Sequence, residues 1–516
     1  MSGEGGGGNG GAGDAGLHGG RRVVRAVGRL SGSLTVPGDK SITHRAVMFN
    51  AIATGTATVT GAGLGGDCLS TAGAMRMLGA RVRRRWASGE LTDDLRRDPV
   101  TGVDTRDDAV LLVDGAGLGG LREPHDVIDA GNSGTTARLL AGILAGQPFF
   151  SVLTGDGSLR GRPMGRVTAP LGVMGAQVRG RAGSTLLPLA ISPAPLSGVT
   201  IDIPVASAQL KSALILAGLY ASGETVIVSP GESRDHTERM LAAQGADVRT
   251  EGLSVRVRRP SGLRAIDVEV PGDISSAAFW LVAACIHPDA AVTVRNVGVN
   301  PTRTGIIDAL TLMGATITVT NERTVGGEPV ADLTASSCRL RGVHIGGAII
   351  PRLIDEVPVL AVAAAVATGT TTIRDAAELR VKESDRLLAV ATHLAALGVA
   401  VAEHPDGLTI TGGRIAGGEV ASEGDHRIAM ALAVGALVAT GPVTIGGAAA
   451  VDISYPAFWR TLARIGPGCL GDEAADRSDG GNRTESGGDG NTLRLATPTP
   501  LIGMRFADAP KGGSGR

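Results

Sequence analysis

The chain has 516 residues, a hydrophobic fraction of 43% and a formal net charge of -1 at pH 7. This length is too great for one ordinary core and predicts two domains of about 200 residues each. The near-neutral charge excludes a global attraction to nucleic acid or to an acidic membrane surface, so any anion must be bound locally. Aromatic residues make up 2% of the chain and glycine occurs 79 times, which predicts closely packed helices rich in small and aliphatic residues.

The four cysteines, Cys68, Cys285, Cys338 and Cys469, are far apart and form neither a CxxC pair nor a zinc-spaced cluster with histidine. We therefore expect free thiols in the cytoplasm, with no metal and no other cofactor. No apolar run approaches the ~20 residues of a membrane helix, and the first 20 residues lack a signal-peptide core. The polar, glycine-rich segments 1–21 and 467–516 are predicted to be disordered tails.

The first stretch with chemical character runs from Val36 to Arg45. It follows a short run in which polar and apolar residues alternate, passes through a Pro-Gly step and then begins an apolar helical pattern. This order predicts a strand, a sharp turn and a helix. Lys40 and Ser41 would then lie at the helix N-terminus, with Arg45 one turn further on. Free backbone N–H groups and basic side chains at this point favour a phosphorylated or carboxylated ligand. A capped helix with solvated basic residues is the simpler alternative for a single lysine.

A helix that ends in glycine and leads into a β-like run occurs six times along the chain. The spacings between these glycines are 96, 70, 69, 84 and 68 residues. Polar inserts near 83–108 and 321–337 account for the two longer spacings, so the repeating unit has about 70 residues. The terminal glycines are Gly79, Gly175, Gly245, Gly314, Gly398 and Gly466.

Each unit also contains an Ala-rich helix that is apolar on nearly every side and must therefore be buried. A β-like run follows each of these helices, so the unit reads βαβαβ with a further optional strand. The predicted fold class is α/β (α+β), with two similar domains of three units each around buried parallel helices. The six helices are predicted near 43–54, 135–147, 211–222, 276–287, 357–368 and 427–440.

The sequence Val-Pro-Gly-Asp occurs at 36–39 and again at 270–273, with three units between the copies and three beyond the second. We place the domain boundaries at these two steps. The N-terminal domain would span 37–271, and the C-terminal domain would combine 22–36 with 272–466. The chain would then cross between the domains twice, which makes a hinge and a closable cleft.

In most units, the polar residues suited to chemistry collect in the turn before a helix. Six helix N-termini directed at one cleft would attract anions despite the neutral chain. Asp385 and Asp425 could be simple helix caps, but caps do not need the accompanying lysine and arginine. The candidate segments are 40–45, 129–138, 160–162, 207–211, 233–236, 355–356, 382–386 and 425–427.

Two glycine-rich segments, 61–66 and 115–120, match the GxGxxG pattern of dinucleotide-binding proteins. The first follows a predicted strand and precedes a helix, which keeps a dinucleotide as an alternative ligand. The pattern is weak in a chain with this many glycines. The stretch around Lys40 also lacks the GxxxxGK spacing of a P-loop, so nucleotide hydrolysis is not expected.

Four segments, 37–45, 131–138, 380–386 and 425–430, resemble 5-enolpyruvylshikimate-3-phosphate synthases in the family's order. The resemblance covers about 22–466 and implies that family's two-domain fold, an inverse α/β barrel built of six units. It implies transfer of the enolpyruvyl group of phosphoenolpyruvate to the 5-hydroxyl of shikimate 3-phosphate, with release of phosphate. It also implies a cytoplasmic enzyme of aromatic amino-acid biosynthesis without a cofactor, and we expect a monomer that binds neither nucleic acid nor membrane.

The resemblance also assigns site residues by position. Asp355 would accept the hydroxyl proton, Glu383 would protonate the methylene carbon, and Lys40 could share either role. The residues implied for shikimate 3-phosphate are Lys40, Ser41, Arg45, Ser207, Ala208, Gln209, Ser233, Asp355 and Lys382. The residues implied for phosphoenolpyruvate are Lys40, Gly134, Arg162, Gln209, Arg386 and Arg427. Two phosphates and two carboxylates require many cations, and paired guanidinium groups bind such anions bidentately.

The chain departs from a common form of the family near its end. Ile453 replaces a lysine found before the last helix in many members, and the following Ser-Tyr-Pro is typical of a variant class. Ala208 replaces a common serine and leaves only its backbone to contact a substrate. Two alternatives stay open: an enolpyruvyl transferase for UDP-N-acetylglucosamine and a non-catalytic anion-binding scaffold. The first is disfavoured because no cysteine lies near 115–123, and the second because Asp355 and Glu383 are both present.

Overall fold

The computed structural model describes residues 20–97 and 109–471, which fall within one compact unit. Most of the two predicted tails, and part of the insert at 83–108, lie outside these residues. No helix in the described ranges is both long and apolar enough to cross a membrane.

Helices and short strands alternate along the described chain. The α-helices are α1 (Lys40–Ala51), α2 (Gly66–Met77), α3 (Gly134–Ala145), α4 (Gly157–Gly161), α5 (Gly165–Val173), α6 (Arg181–Ser184), α7 (Ala208–Gly218), α8 (His236–Ala243), α9 (Ile274–Ile286), α10 (Gly305–Leu312), α11 (Ile350–Leu353), α12 (Val357–Val366), α13 (Arg386–Ala396), α14 (His426–Ala436) and α15 (Phe458–Ile465). Short 3-10 helices span Gly347–Ile349, Ile354–Glu356, Ala377–Val381 and Ala448–Ile453.

The strands of the described residues form six separate sheets of three to five strands each. They are β1 (Arg22–Val24), β2 (Leu30–Thr35), β3 (Thr54–Ala62), β4 (Arg81–Arg85), β5 (Leu91–Thr92), β6 (Ala109–Ala116), β7 (Ile128–Asp129), β8 (Ser151–Thr154), β9 (Gln177–Gly180), β10 (Leu186–Ser192), β11 (Thr200–Asp202), β12 (Glu224–Val228), β13 (Asp247–Glu251), β14 (Ser254–Arg258), β15 (Val268–Glu269), β16 (Ala290–Gly298), β17 (Ile317–Val325), β18 (Glu328–Ser336), β19 (His344–Ile345), β20 (Thr370–Ile373), β21 (Ala400–His404), β22 (Gly407–Thr411), β23 (Gly418–Ala421) and β24 (Val443–Gly446).

Six buried helices, α1, α3, α7, α9, α12 and α14, correspond to the predicted Ala-rich helices. The predicted first residues lie at most three positions after the observed ones. Side-chain oxygens accept hydrogen bonds from the first turn in five of the six, which ends the preceding loop at a defined residue. These caps are Asp39, Ser133, Ser207, Asp273 and Asp425.

Each of the six predicted terminal glycines lies within two residues after the end of a helix, so this prediction is confirmed. Gly79, Gly175, Gly245, Gly314 and Gly398 have φ angles from +81° to +102°, the left-handed region that ends a helix at low cost only for glycine. Gly466 differs, since it caps α15 with φ -127°. The sixth helix therefore ends without the left-handed turn.

Five of the six sheets share one topology, which reflects the repeat in the sequence. In each of these sheets, a short strand pairs in parallel with the strand that follows the buried helix. The strand after the helix also pairs antiparallel with one strand of a β-hairpin, as β12 does with β14 of the β13–β14 hairpin. Two sheets are completed across the Val-Pro-Gly-Asp steps: β15 pairs in parallel with β3, and β2 pairs in parallel with β16. The strand that precedes each step therefore joins a distant unit.

The second polar insert is part of a β-hairpin. Strands β17 and β18 pair antiparallel, and Gly326 and Gly327 form the turn with φ angles of +58° and +84°. Most side chains of β17 are exposed, which explains the polar sequence of this edge strand.

Two separate hydrophobic cores lie in the described chain. The first contains buried residues between 42 and 270, and the second contains residues between 24 and 36 together with those between 274 and 469. Aromatic rings are concentrated in the second core, where Tyr455 meets Trp280 edge-on at 6.1 Å between centroids. The two cores agree with domains at 37–271 and at 22–36 plus 272–466, which stay a prediction, except that buried Cys469 belongs to the second core and lies within the predicted tail.

Packing accounts for both GxGxxG segments. Gly61 has φ +68°, and a Cβ atom there would lie 2.7 Å from the carbonyl oxygen of Val270. A Cβ atom on Gly115 would lie 2.2 Å from the carbonyl oxygen of Ala53. Both distances are shorter than side chains tolerate, so these glycines allow close backbone approach without a dinucleotide.

Candidate active site

A cavity of about 520 Å³ lies between the two cores, and residues at or beside the starts of all six buried helices line it. We call the lining residues between 40 and 234 the first wall and those between 273 and 427 the second wall. The first wall consists of Lys40, Ser41, Arg45, Asp67, Gly134, Thr135, Arg138, Arg162, Arg166, Val205, Ala206, Ser207, Ala208, Gln209, Ser233 and Arg234. The second wall consists of Asp273, Arg303, Ile350, Pro351, Ile354, Asp355, Asp375, Ala377, Glu378, Val381, Lys382, Glu383 and Arg427.

Arg45 in the first wall is buried and donates hydrogen bonds to neutral acceptors. Its Nε binds the Thr237 hydroxyl at 2.7 Å and one terminal nitrogen binds the Ser212 hydroxyl at 2.9 Å. Burial, and then the positive charge of Arg234, lower the pKa of Arg45 to about 10, against the opposing effect of Glu238. A buried guanidinium with neutral partners favours an anionic ligand.

Arg138 repeats this pattern on α3. It donates to Gln209 Oε1 at 2.5 Å, and the amide nitrogen of Gln209 donates to Thr135 Oγ1 at 2.9 Å. Burial and the neighbouring Arg166 lower the pKa of Arg138 to about 9. The buried hydroxyl of Ser233 has no hydrogen-bond partner among the described residues, so it is available to a ligand.

Lys40 stands at the start of α1 and donates from Nζ to Asp67 at 2.7 Å. Burial would lower the pKa of Lys40, but the charges of Asp67 and Glu383, together with the hydrogen bond to Asp67, outweigh burial and raise the pKa. Lys40 is therefore protonated at neutral pH.

The second wall is organised around Arg386, which lies directly behind the cavity lining and is 1% exposed. Its guanidinium donates to three carboxylates: Asp355 at 3.2 Å, Glu383 at 2.7 Å and Asp425 at 2.7 Å. Asp425 also caps α14, and Asp385 caps α13 through the Leu388 N–H. The cap interpretation of both aspartates is therefore correct, but Asp425 has a second role in holding Arg386.

Both candidate acid-base carboxyls are ionised in this arrangement. Burial raises the pKa of Asp355, but Lys382 and Arg427 together with further cations bring it well below its ordinary value. Burial likewise raises the pKa of Glu383, and Arg386 and Lys40 bring it well below its ordinary value. Nearby cations thus dominate over desolvation at both groups.

Ion pairs connect the two walls across the cavity. Arg234 donates to Asp355 at 2.6 Å, and Arg166 donates to both carboxylate oxygens of Glu378 at 2.8 and 2.9 Å. Arg162 lies 3.9 Å from Glu383.

The first residue of β18 makes a further connection, outside the cavity. Glu328 accepts from the Asn300 amide at 2.9 Å and lies 2.8 Å from His236 Nδ1 at the start of α8. Asn300 also donates to Asp235 at 2.8 Å. The hairpin therefore contacts the loop that carries Ser233 and Arg234.

A sequence model of the family EPSP synthase (3-phosphoshikimate 1-carboxyvinyltransferase) matches residues 24–96 and 100–462. The chain belongs to the EPSP synthase family. The predictions of this family, of its fold class and of an enolpyruvyl-transferring enzyme of the shikimate pathway are thereby confirmed.

Curated relatives and solved structures agree with this membership. The 3-phosphoshikimate 1-carboxyvinyltransferase of Synechococcus elongatus is 54% identical over 441 residues, covering 84% of this chain and 94% of the relative. That of Roseiflexus sp. is 51% identical over 442 residues, covering 85% and 97%. A solved EPSP synthase from Acinetobacter baumannii is 43% identical with a TM-score of 0.73, covering 86% of this chain and 98% of that one.

The fold extends to more distant enolpyruvyl transferases. The enolpyruvyl transferase NikO of Streptomyces tendae is 19% identical with a TM-score of 0.67, covering 87% of this chain and 98% of that one. At this identity the similarity shows the fold alone.

The cavity brings together nearly all the residues that the EPSP synthase resemblance implies. The exception is Arg386, which is not among the lining residues and lies behind Asp355 and Glu383. No residue of 115–123 lines the cavity, and neither does Ile453. The roles of the individual residues stay predictions.

The residue-level expectations missed several charged groups of the lining. Arg138, near the start of α3, and Arg234, just before α8, lie inside segments already singled out, 129–138 and 233–236, which could have indicated them. Asp67, Arg166 and Arg303 also line the cavity and lie at or just before the starts of α2, α5 and α10, but they fall outside the segments that were singled out.

Proposed function

We propose that this cavity binds shikimate 3-phosphate and phosphoenolpyruvate and that its residues carry out the enolpyruvyl transfer of the EPSP synthase family. One observation carries the proposal: buried cations with neutral partners in the first wall face two ionised carboxylates in the second wall. The first wall suits phosphate and carboxylate groups, and the second suits proton transfer.

The phosphate group of shikimate 3-phosphate would be held by Ser207, Gln209 and Ser233, together with the N-termini of the adjoining helices. Arg45 and Lys382 would contribute charge, and Ala208 would contribute its backbone N–H. The unpartnered Ser233 hydroxyl supports this placement. Arg234, which donates to Asp355 and to Ser41 at 3.5 Å, would connect this site with the acid-base wall.

Phosphoenolpyruvate would lie between the walls near Lys40, Gly134 and Gln209. Arg162 and Arg427 would bind its carboxylate and phosphate from opposite sides. Arg386 would act at this site mainly by holding Asp355 and Glu383 in place, because its own donors are already bonded to carboxylates.

In the reaction, Asp355 would accept the proton of the 5-hydroxyl as that oxygen forms a bond to C2 of phosphoenolpyruvate. The methylene carbon would take up a proton at the same time, which gives a tetrahedral ketal. Loss of a proton from the new methyl group then restores the double bond as the C–O bond to phosphate breaks. The phosphate leaves with the bonding electron pair.

The protonation states in the structure bear on which group supplies the methylene proton. Glu383 is ionised in the free site, whereas Lys40 is protonated. Anionic phosphoenolpyruvate near Arg386 and Lys40 would offset their charges and raise the pKa of Glu383, so that it could carry a proton in the complex. We propose Glu383 as the acid in the ternary complex, with Lys40 stabilising the substrate phosphate.

The test is phosphate release from phosphoenolpyruvate by the purified full-length chain, with shikimate 3-phosphate and UDP-N-acetylglucosamine as rival acceptors. Release only with shikimate 3-phosphate supports the proposal, and its loss in Asp355→Asn and Glu383→Gln supports the site. Release with UDP-N-acetylglucosamine alone, or with neither acceptor, would contradict the substrate assignment.

We further propose that the chain acts in the cytoplasm as a monomer and binds no nucleic acid. The cavity lining from a single chain and the near-neutral charge support this. Sedimentation of the active enzyme at assay concentration tests the oligomeric state, and a dimer would contradict it.

A further inference from the structure

The two Val-Pro-Gly-Asp steps lie side by side at the floor of the cavity. The Asp39 N–H donates to the Pro271 carbonyl at 2.7 Å, and the Asp273 N–H donates to the Pro37 carbonyl at 2.9 Å. This reciprocal pairing places the caps of α1 and α9, Asp39 and Asp273, next to each other. Two buried carboxylates in such proximity repel each other unless a cation lies between them.

Arg303 provides that cation from the loop before α10. One terminal nitrogen donates to Asp39 at 3.0 Å, and the other donates to Asp273 at 3.1 Å and to the Ser275 hydroxyl at 2.9 Å. Arg303 is 2% exposed. A planar guanidinium that binds both carboxylates fixes their separation as well as their charge, which an ammonium group cannot do.

The same cluster reaches the second wall. Ser275 donates a hydrogen bond to Glu356, which follows Asp355 directly in the chain and precedes α12. Burial is the largest influence on Glu356 and raises its pKa. The contacts of Arg303 therefore extend from the start of α1, which carries Lys40, to the turn that carries Asp355.

We propose that Arg303 is a positioning residue that sets the distance between Lys40 and Asp355 across the cavity. This inference rests on the proposed function, since it concerns the two groups assigned to that reaction. Arg303 acts through Asp39, Asp273 and Ser275, and its role is to place helix starts whose side chains meet the substrates. A displacement of about 1 Å at a reacting group can cost about 100-fold in rate.

The experiment compares the kcat and KM of the full-length chain with those of Arg303→Met and Arg303→Lys, using phosphate release at saturating substrates. We expect Arg303→Met to lower kcat about 100-fold, while KM for shikimate 3-phosphate changes by less than about threefold. Arg303→Lys should recover part of kcat, to within about tenfold of the parent. An ammonium group restores the positive charge but cannot hold both carboxylates at a fixed separation, as the planar guanidinium does.

A triple variant keeps the test sound if Arg303→Met unfolds. This variant combines Asp39→Asn, Asp273→Asn and Arg303→Met. It removes the two carboxylate charges that Arg303→Met alone would leave without a cation, and asparagine still caps a helix. We expect this variant to recover the urea midpoint but not kcat. If its kcat lies within about threefold of the parent, Arg303 is only structural and the inference is wrong.

Arg352→Met is the matched control, because Arg352 supports the same loop through the Pro301 carbonyl at 2.7 Å and the Thr304 hydroxyl at 3.0 Å. Its kcat should stay within about twofold of the parent, and an equal loss in both variants would assign the effect to loop disorder instead. A rise in KM with unchanged kcat in Arg303→Met would make Arg303 a substrate contact and overturn the inference. A parent inactive with shikimate 3-phosphate removes the proposed function and this inference together, whereas an active parent with an unimpaired triple variant removes the inference alone.

Discussion

The two walls of the cavity contain the same kinds of charged residue in opposite proportions. Among their lining residues, the first wall has six cations and one carboxylate, Asp67, whereas the second has three cations and five carboxylates. Burial and crowding with cations lower the pKa of Arg45 to about 10 and of Arg138 to about 9. Behind the second wall, three carboxylates outweigh burial and raise the pKa of Arg386.

The difference in charge indicates that the first wall binds the substrates and that the second wall transfers protons. Cations with neutral partners can exchange those partners for substrate phosphate and carboxylate groups without breaking an ion pair. Cations bonded to carboxylates hold those carboxylates ionised and fixed in direction. Substitutions in the first wall should therefore act mainly on KM and those in the second mainly on kcat.

The largest expected effect is that of Glu383→Gln in the second wall. General acid-base groups contribute about 10²–10⁴-fold, so kcat should fall about 10³-fold. The dissociation constant of shikimate 3-phosphate, measured by calorimetry, should change by less than about threefold. Glu403→Gln, at an exposed ion pair with Arg380, is the control and should leave both quantities unchanged. An affinity loss as large as the kcat loss would place Glu383 among the binding groups.

Arg45→Met tests the first wall. A hydrogen bond to a charged group contributes about 1.5–3 kcal/mol, so KM for shikimate 3-phosphate should rise by about 10- to 100-fold while kcat falls by less than about fivefold. Steady-state phosphate release at varied shikimate 3-phosphate measures both. Arg239→Met removes a part-exposed arginine paired with Asp235 and should have little effect on KM. A loss confined to kcat would contradict the division between the walls.

The acid stability of the protein should depend on His426, at the start of α14. Burial lowers the pKa of His426 to about 3 from an ordinary value of 6.5. The unfolded chain therefore binds the proton more readily, so stability is complete above about pH 6.5 and falls as the pH decreases toward 3.

Urea unfolding at pH 7, 5 and 4 measures how the free energy of unfolding depends on pH. The loss due to His426 should be on the order of 4 kcal/mol between pH 6.5 and pH 3. In His426→Gln the part due to this group should disappear. The exposed His125→Gln is the control and should keep the parent slope. An unchanged slope in His426→Gln would mean that other groups account for the acid sensitivity.

The smallest expected effect comes from the hairpin contact between the two cores. Glu328→Gln keeps the shape of the side chain but removes its charge beside His236, so we expect a loss of about 1–2 kcal/mol in unfolding free energy. KM should rise by about threefold at most, because the loop that carries Ser233 loses part of its support. Glu322→Gln, exposed on the same hairpin, is the control. Equal losses in both variants would assign the effect to the hairpin surface and not to this contact.

Much of this architecture can be read from local sequence. The caps of α1, α3, α7, α9 and α14 act on the first helical turn, and the terminal glycines act within a few residues of the helix end, so both leave short-range patterns. The repetition of these patterns predicts the six units, the buried helices and the clustering of Lys40, Ser207 and Arg427 at helix starts. The resemblance to EPSP synthases then names the chemistry, because its four motifs coincide with these starts.

The tertiary structure alone decides how the charges are partnered. Arg303 lies 264 residues from Asp39, and Arg234 lies 121 residues from Asp355, so no local pattern predicts either contact. The ionised state of Glu383 and the three carboxylates at Arg386 likewise follow from distances and burial across units. Helix boundaries arise from interactions within one turn, whereas electrostatic states depend on every charge within a few ångströms, wherever the chain supplies it.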